Sequence, residues 1–137
     1  MKISQEGSVR VDLLGGTLDL YPINLIIPNV ITINCATSLT ANVSIEGNNS
    51  NEIVFDSRDY DLIRSFDLYS VQSDKLDSND YGPLEFLVRI LQQFPLKEGV
   101  NITLSSKAPA GSGLGGSSTM GCVFYSALCQ FLGIDLD

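Results

Sequence analysis

Histidine is absent from the 137 residues. That absence removes Ser-His-Asp and Cys-His catalysis and every histidine-ligated zinc site. Cysteine is scarce too. Cys35, Cys122 and Cys129 show no CxxC spacing, and an odd count suits no disulfide framework. Cys122 and Cys129 stand seven apart on a helix-like run and read as small buried thiols, which fits a reducing, cytoplasmic setting. Positive charge is short as well, with 8 Lys and Arg against 16 Asp and Glu and a net charge of −8. Nucleic acid and anionic membranes need a basic surface, so both are excluded as partners. Long apolar runs are missing. Leu25 to Ile33 is broken by Pro28, Asn29 and Thr32, and Met1 to Ser8 has no signal-peptide core. The composition, 44% hydrophobic and 18% charged, is that of one soluble globular domain spanning residues 1–137.

What the chain does have is concentrated in Lys107 to Met120, KAPAGSGLGGSSTM. A β-rich run, Val100 to Ser105, leads in. A helical repeat of Met120, Phe124, Ala127, Leu128 and Phe131 leads out. Ser117 and Ser118 stand where that helix should begin, as N-cap candidates. Strand, glycine-rich turn and helix N-terminus together form an anion site. Glycine lets the backbone approach a phosphate, and the free N–H groups and helix dipole favour negative charge. Two other glycine-loop patterns fit poorly. The P-loop spacing places Ser117 where a lysine is required. Gly111, Gly113 and Gly116 do spell GxGxxG, but five residues, Ser106 to Ala110, separate the strand from the first glycine, unlike a dinucleotide fingerprint.

Pro109 to Thr119, PAGSGLGGSST, resembles the PxxxGLGSSAA loop of the GHMP kinases, the family of galactokinase, homoserine kinase, mevalonate kinase and phosphomevalonate kinase. Gly116 takes the place of the first serine of that motif and Ser117 that of the second. The resemblance implies that Pro109, Ala110, Gly111, Ser112, Gly113, Leu114, Gly115, Gly116, Ser117 and Ser118 bind the phosphates of ATP. It also implies that Ser117 faces Mg²⁺ together with those phosphates.

A second stretch agrees. Ser8 to Leu14 alternates as a strand, with Val9, Val11 and Leu13 on one face, and Gly15-Gly16 ends it. By itself this is an ordinary charged strand followed by a turn. Beside the glycine loop, RVDLLGGTLD from Arg10 to Asp19 resembles the first GHMP motif, in the Gly-Gly form of the fucokinase and heptose-phosphate kinase branch. The galactokinase Glu-His is absent. The resemblance places Arg10 near the transferring phosphoryl group as a catalytic residue, with Gly16, Thr17 and Asp19 at the acceptor. A carboxylate such as Asp19 can accept from several adjacent hydroxyls.

The remaining segments read as scaffold. Leu25 to Ile33, Leu39 to Glu46 and Glu52 to Asp56 are strand-like, and Gly47 to Asn51 is a turn expected to join the last two as a hairpin. Asp56 to Asp80, with Glu52 just before, holds eight of the sixteen acids and reads as a solvated loop or short helix. Pro83 to Phe94 is a helix burying Leu84, Leu87, Val88 and Leu91. The expected fold is an α+β two-layer sandwich, a mixed sheet with helices on one face. The resemblance adds a left-handed βαβ unit, the ribosomal-protein-like GHMP N-terminal domain. It also implies a second domain carrying the Mg²⁺-binding glutamate and catalytic base beyond Asp137, so that this chain is one part of a longer or split kinase and transfers no phosphate alone. The function expected is ATP-dependent phosphorylation of a sugar or sugar-phosphate hydroxyl. A non-catalytic sugar or nucleotide sensor and a mevalonate-type kinase are the alternatives. An apolar sheet surface is expected to drive self-association.

Overall fold

In the computed structural model, residues 1–18, 20–27, 29–73, 78–109 and 112–135 are described. Asp19, Ala110 and Gly111, each assigned a site role from sequence, lie outside them, as do Pro28, residues 74–77 and residues 136–137.

Five strands form one sheet: β1 (Lys2–Leu14), β2 (Ile33–Gly47), β3 (Glu52–Ser57), β4 (Leu62–Asp67) and β5 (Val100–Ser106). Their spatial order is β1-β2-β5-β3-β4, with every pair antiparallel except β3 and β5. The helices are α1 (Ile23–Ile26), α2 (Leu68–Gln72), α3 (Ser78–Tyr81), α4 (Glu85–Leu91) and α5 (Gly116–Leu132), with a 3-10 turn at Gly82–Leu84. The architecture is the expected α+β layer pair.

Alternation explains which face the helices cover. Ala41, Val43 and Ile45 of β2, Ile53 and Phe55 of β3, and Val100, Ile102 and Leu104 of β5 are all buried on one face. Their neighbours Asn42, Ser44, Asn101, Thr103 and Ser105 lie on the other, polar and partly open. Period-two alternation sends successive side chains to opposite faces, so the apolar side takes the helices. Phe124, Ala127 and Leu128 of α5 and Leu87, Val88 and Leu91 of α4 close that core. At its centre Phe55 meets Phe66 and Phe124 with ring centroids 6.1 Å apart in both pairs. Each such fully buried side chain contributes about 1.5–3 kcal/mol of transfer free energy.

Four expectations need correction. The Gly47–Asn51 turn does not close a hairpin, because β5 inserts between β2 and β3. With Val100, Ile102 and Leu104 wholly buried, β5 takes the centre, flanked by strands on both sides. The acidic stretch after Asp56 contains β4, a short edge strand whose Phe66 alone is buried. Leu25 to Ile33 is not a strand: α1 starts after Pro22 and β2 begins only at Ile33. Its consecutive Leu25-Ile26-Ile27 lacks the alternation a half-buried strand needs. Finally, the open sheet face is polar. Ile63 is an isolated exposed apolar residue there, and the exposed apolar residues cluster instead where β1 and β2 run past the rest of the sheet, at Leu13, Leu14, Leu20, Tyr21, Leu25, Ile26 and Ile31.

Candidate functional site

The glycine stretch follows β5 and delivers the chain into α5. Gly113 and Gly115 have φ of +72° and +65°, the left-handed region that a side chain disfavours. A Cβ built at either would meet nothing within 4 Å. Glycine is needed there for backbone conformation, and the space beside it is open. Gly115 caps the 17-residue α5 without any side-chain cap bond. Ser117 and Ser118 were expected at the cap. They are instead the second and third residues of the helix, within its first turn, because the left-handed turn at Gly115 starts the helix earlier. Thr119 N–H reaches the Gly115 carbonyl at 2.9 Å, closing the first helical turn. The N–H groups of Gly116, Ser117 and Ser118 precede any intrahelical acceptor, so this end of α5 presents donors and the positive end of the dipole.

These donors border a cleft of about 750 Å³. Pro109 and Ser112 to Ser117 line it, together with Pro83, Leu84, Phe86 and Leu87 from the 3-10 turn and α4. Ser118 is not in the lining. Asp59 accepts a hydrogen bond from Ser106 N–H at 2.7 Å and pins the loop where it leaves β5. Lys107 adds a cation to the rim.

None of Arg10, Gly16 and Thr17 lines this cleft. The sheet nevertheless puts them at the same end. Lys107 N–H bonds the Thr40 carbonyl, and Thr40 pairs with Ser8 of β1, two residues before Arg10. Two strand spacings, roughly 10 Å, therefore separate the glycine loop's start from β1. Arg10 Nε meets Asp12 Oδ1 at 3.2 Å. Gly16 lies so close to Asp12 that a Cβ would stand 2.9 Å from its Oδ2. Thr17 has φ +77°, an outlier for a β-branched residue.

Residues 83–137 match the family model described as "GHMP kinases N terminal domain". The fold agrees. A D-glycero-D-manno-heptose 1-phosphate kinase from Bacteriodes thetaiotaomicron superposes with TM-score 0.79 at 28% identity, covering 99% of this chain and 44% of that one. This chain has the GHMP kinase N-terminal domain fold, and residues 83–137 match that family's sequence pattern. The Methanococcus jannaschii mevalonate kinase superposes with TM-score 0.78 at 21% identity, over 100% of this chain and 42% of that one. The Lactococcus lactis galactokinase, solved with galactose, gives TM-score 0.71 at 14% identity, over 99% of this chain and 34% of that one. The chain thus spans less than half the length of each of these proteins. Comparison with curated protein sequences gives no match.

Within this GHMP-like fold, Asp59, Tyr60, Phe86 and Lys107 are cleft residues that the sequence alone did not mark. Asp59 and Tyr60 belong to the stretch read as a solvated acidic loop, and Phe86 to a helix read as scaffold. A signal did exist for Phe86. It falls outside the apolar face of Leu84, Leu87, Val88 and Leu91, and an aromatic off the core stripe needs some other partner. Among the described residues no group of three or more His, Cys, Asp or Glu could hold a metal, and no helix is long and apolar enough to cross a membrane. The donors at the loop are N–H groups and hydroxyls, which suit an anion. A cation here would depend on the anion's oxygens and water, with the Ser117 hydroxyl as its protein contact. Of the two thiols read as buried, Cys129 is buried and Cys122 is exposed. The same helical face is covered at one end and open at the other.

Proposed function

We propose that this chain supplies the ATP-binding part of a kinase that phosphorylates a hydroxyl of a sugar or sugar phosphate. The observation that carries the reading is the glycine loop, whose two left-handed glycines bring the uncapped N-terminus of α5 to an open cleft. The triphosphate lies along Ser112 to Ser117, held by backbone N–H groups that include Ser118's, with the Ser117 hydroxyl beside it. The base extends into the cleft towards Phe86 and Tyr60, whose rings offer flat apolar contact. Lys107 offsets phosphate charge at the rim. Bound Mg²⁺ would neutralise charge on the phosphates and polarise the transferring group.

Thr17 and Asp19 hydrogen-bond the acceptor's hydroxyls in this reading, Asp19 on the strength of the motif alone, and Arg10, steered by Asp12, stabilises charge on the transferring phosphoryl group. The Gly15-Gly16 form of the motif and the likeness to a heptose 1-phosphate kinase favour a sugar or sugar phosphate over mevalonate. Catalysis of this kind rests on positioning and electrostatics. The fold alone does not choose the acceptor, because kinases named for three different acceptors share it.

An amide-resolved NMR titration with Mg·ATP tests this, since it detects millimolar binding. Shifts should concentrate at Gly113, Gly115 to Ser118 and Phe86. A heptose phosphate or hexose, added separately, should move Gly16 and Thr17 instead. No change at the loop, or changes scattered over the polar sheet face, would contradict the reading.

A further inference from the structure

Gly121 lies in the interior of α5, is buried, and is not required there by backbone conformation. Glycine weakens a helix interior relative to alanine, so its presence needs a cause. The cause is a ring. A Cβ at Gly121 would stand 2.6 Å from Phe86 Cε1 and 2.7 Å from Cζ, with Ile90 Cδ1 at 3.4 Å. Phe86 comes from α4 and sits against the bare α5 backbone by its far edge. The rest of that ring is not core: Phe86 is 51% exposed and lines the same cleft as the glycine loop. Met120, the residue before Gly121, lines the same cleft.

We infer that Gly121 is a positioning residue for nucleotide selection: by lacking a side chain it lets Phe86 seat back against α5, which holds the cleft open to a planar base and presents the ring as one wall. The inference rests on the nucleotide reading above and deepens it. A methyl at position 121 would act on the ring and not on the fold. The nearest atoms it meets on α4 are side-chain atoms, the tip of the half-exposed Phe86 ring and Ile90 Cδ1, and none belongs to the α4 backbone. The ring would then move away from α5, into the space the base needs. The glycine-loop N–H groups, which are not among the atoms a Cβ at Gly121 meets, would be untouched.

The test uses the full chain and two probes, Mg·ATP and Mg·tripolyphosphate, with affinities read by NMR titration. Gly121→Ala should weaken ATP by roughly five- to twentyfold, the range expected for losing a base–aromatic contact. Tripolyphosphate should bind all variants alike. Phe86→Ala should weaken ATP by a similar factor, and adding Gly121→Ala to it should cost nothing more, because no ring remains to be displaced. That non-additivity is the signature of one residue acting through another. Equal losses from Gly121→Ala with and without Phe86 would overturn the inference while leaving the phosphate site standing. So would a matching loss of tripolyphosphate. A wild-type chain that bound neither probe would overturn the nucleotide reading and this inference together.

Discussion

Glycine pairs shape both ends of the proposed site, and they do so for opposite reasons. At Gly113 and Gly115 a Cβ would meet nothing, so what those positions require is a left-handed backbone beside open space. At Gly15 and Gly16 space is the constraint, added at Gly15 to a left-handed φ of +75°. A Cβ on Gly15 would collide with the Ile31 carbonyl, and one on Gly16 would press on Asp12. The first pair leaves room for something outside the chain. The second pair lets the chain approach itself, tying the β1 end to the segment before β2. Similar sequence, Gly-Gly or Gly-x-Gly, thus encodes a ligand cradle in one place and an internal clamp in the other.

Substitutions can break this contrast, and the largest effect should come from the clamp. Gly15→Ala meets a backbone carbonyl and also sits at φ +75°, so neither partner can yield cheaply. It should cost about 3 kcal/mol or more in chemical denaturation. A cost under about 1 kcal/mol would show the clamp to be slack. Gly113→Ala has only its backbone conformation to pay for, about 1–2 kcal/mol, with the cleft otherwise undisturbed. Thr17→Gly relieves an unfavourable φ and should raise stability by about 0.5–1 kcal/mol, after the unfolded-state cost of glycine is subtracted. The same change removes a hydroxyl that the proposed acceptor site uses, so acceptor binding should fall as stability rises. If both fell, Thr17 would be structural only.

The smallest effect on stability should come from the exposed arm. Leu25→Glu with Ile26→Glu alters two residues that are 70% and 77% exposed, so unfolding should shift by under about 0.5 kcal/mol. Light scattering should nevertheless show less association at high concentration, because apolar surface of that extent drives contact between copies. Association unchanged by these charges would locate the contact elsewhere.

The comparison also shows what could be read from the sequence. The α5 stripe and the buried face of α4 were legible because helical periodicity is local and strong. The glycine loop was legible because its residue types are fixed by backbone conformation. Strand order was not. Nothing local in Val100 to Ser106 says that it inserts between β2 and β3, since that pairing is decided by which strand can be buried on both edges. β4 was hidden for a similar reason: as an edge strand with one buried residue it needs little apolar character and carries none of the alternation that marks a core strand. The cleft wall escaped notice because Phe86 and Tyr60 come from segments far from the loop in sequence, and only the fold brings them to the same cleft.

The central claim, that the open glycines serve a phosphate-bearing ligand, is tested most directly by the Mg·ATP affinity of Gly115→Val. A Cβ at this position meets nothing within 4 Å, so the chain should remain folded, with a loss of about 1–2 kcal/mol from its backbone alone. The account predicts that ATP and tripolyphosphate both lose at least roughly tenfold in affinity, because the helix N-terminus is redirected and its N–H groups are covered. A folded Gly115→Val chain that bound Mg·ATP as the wild type does would contradict it.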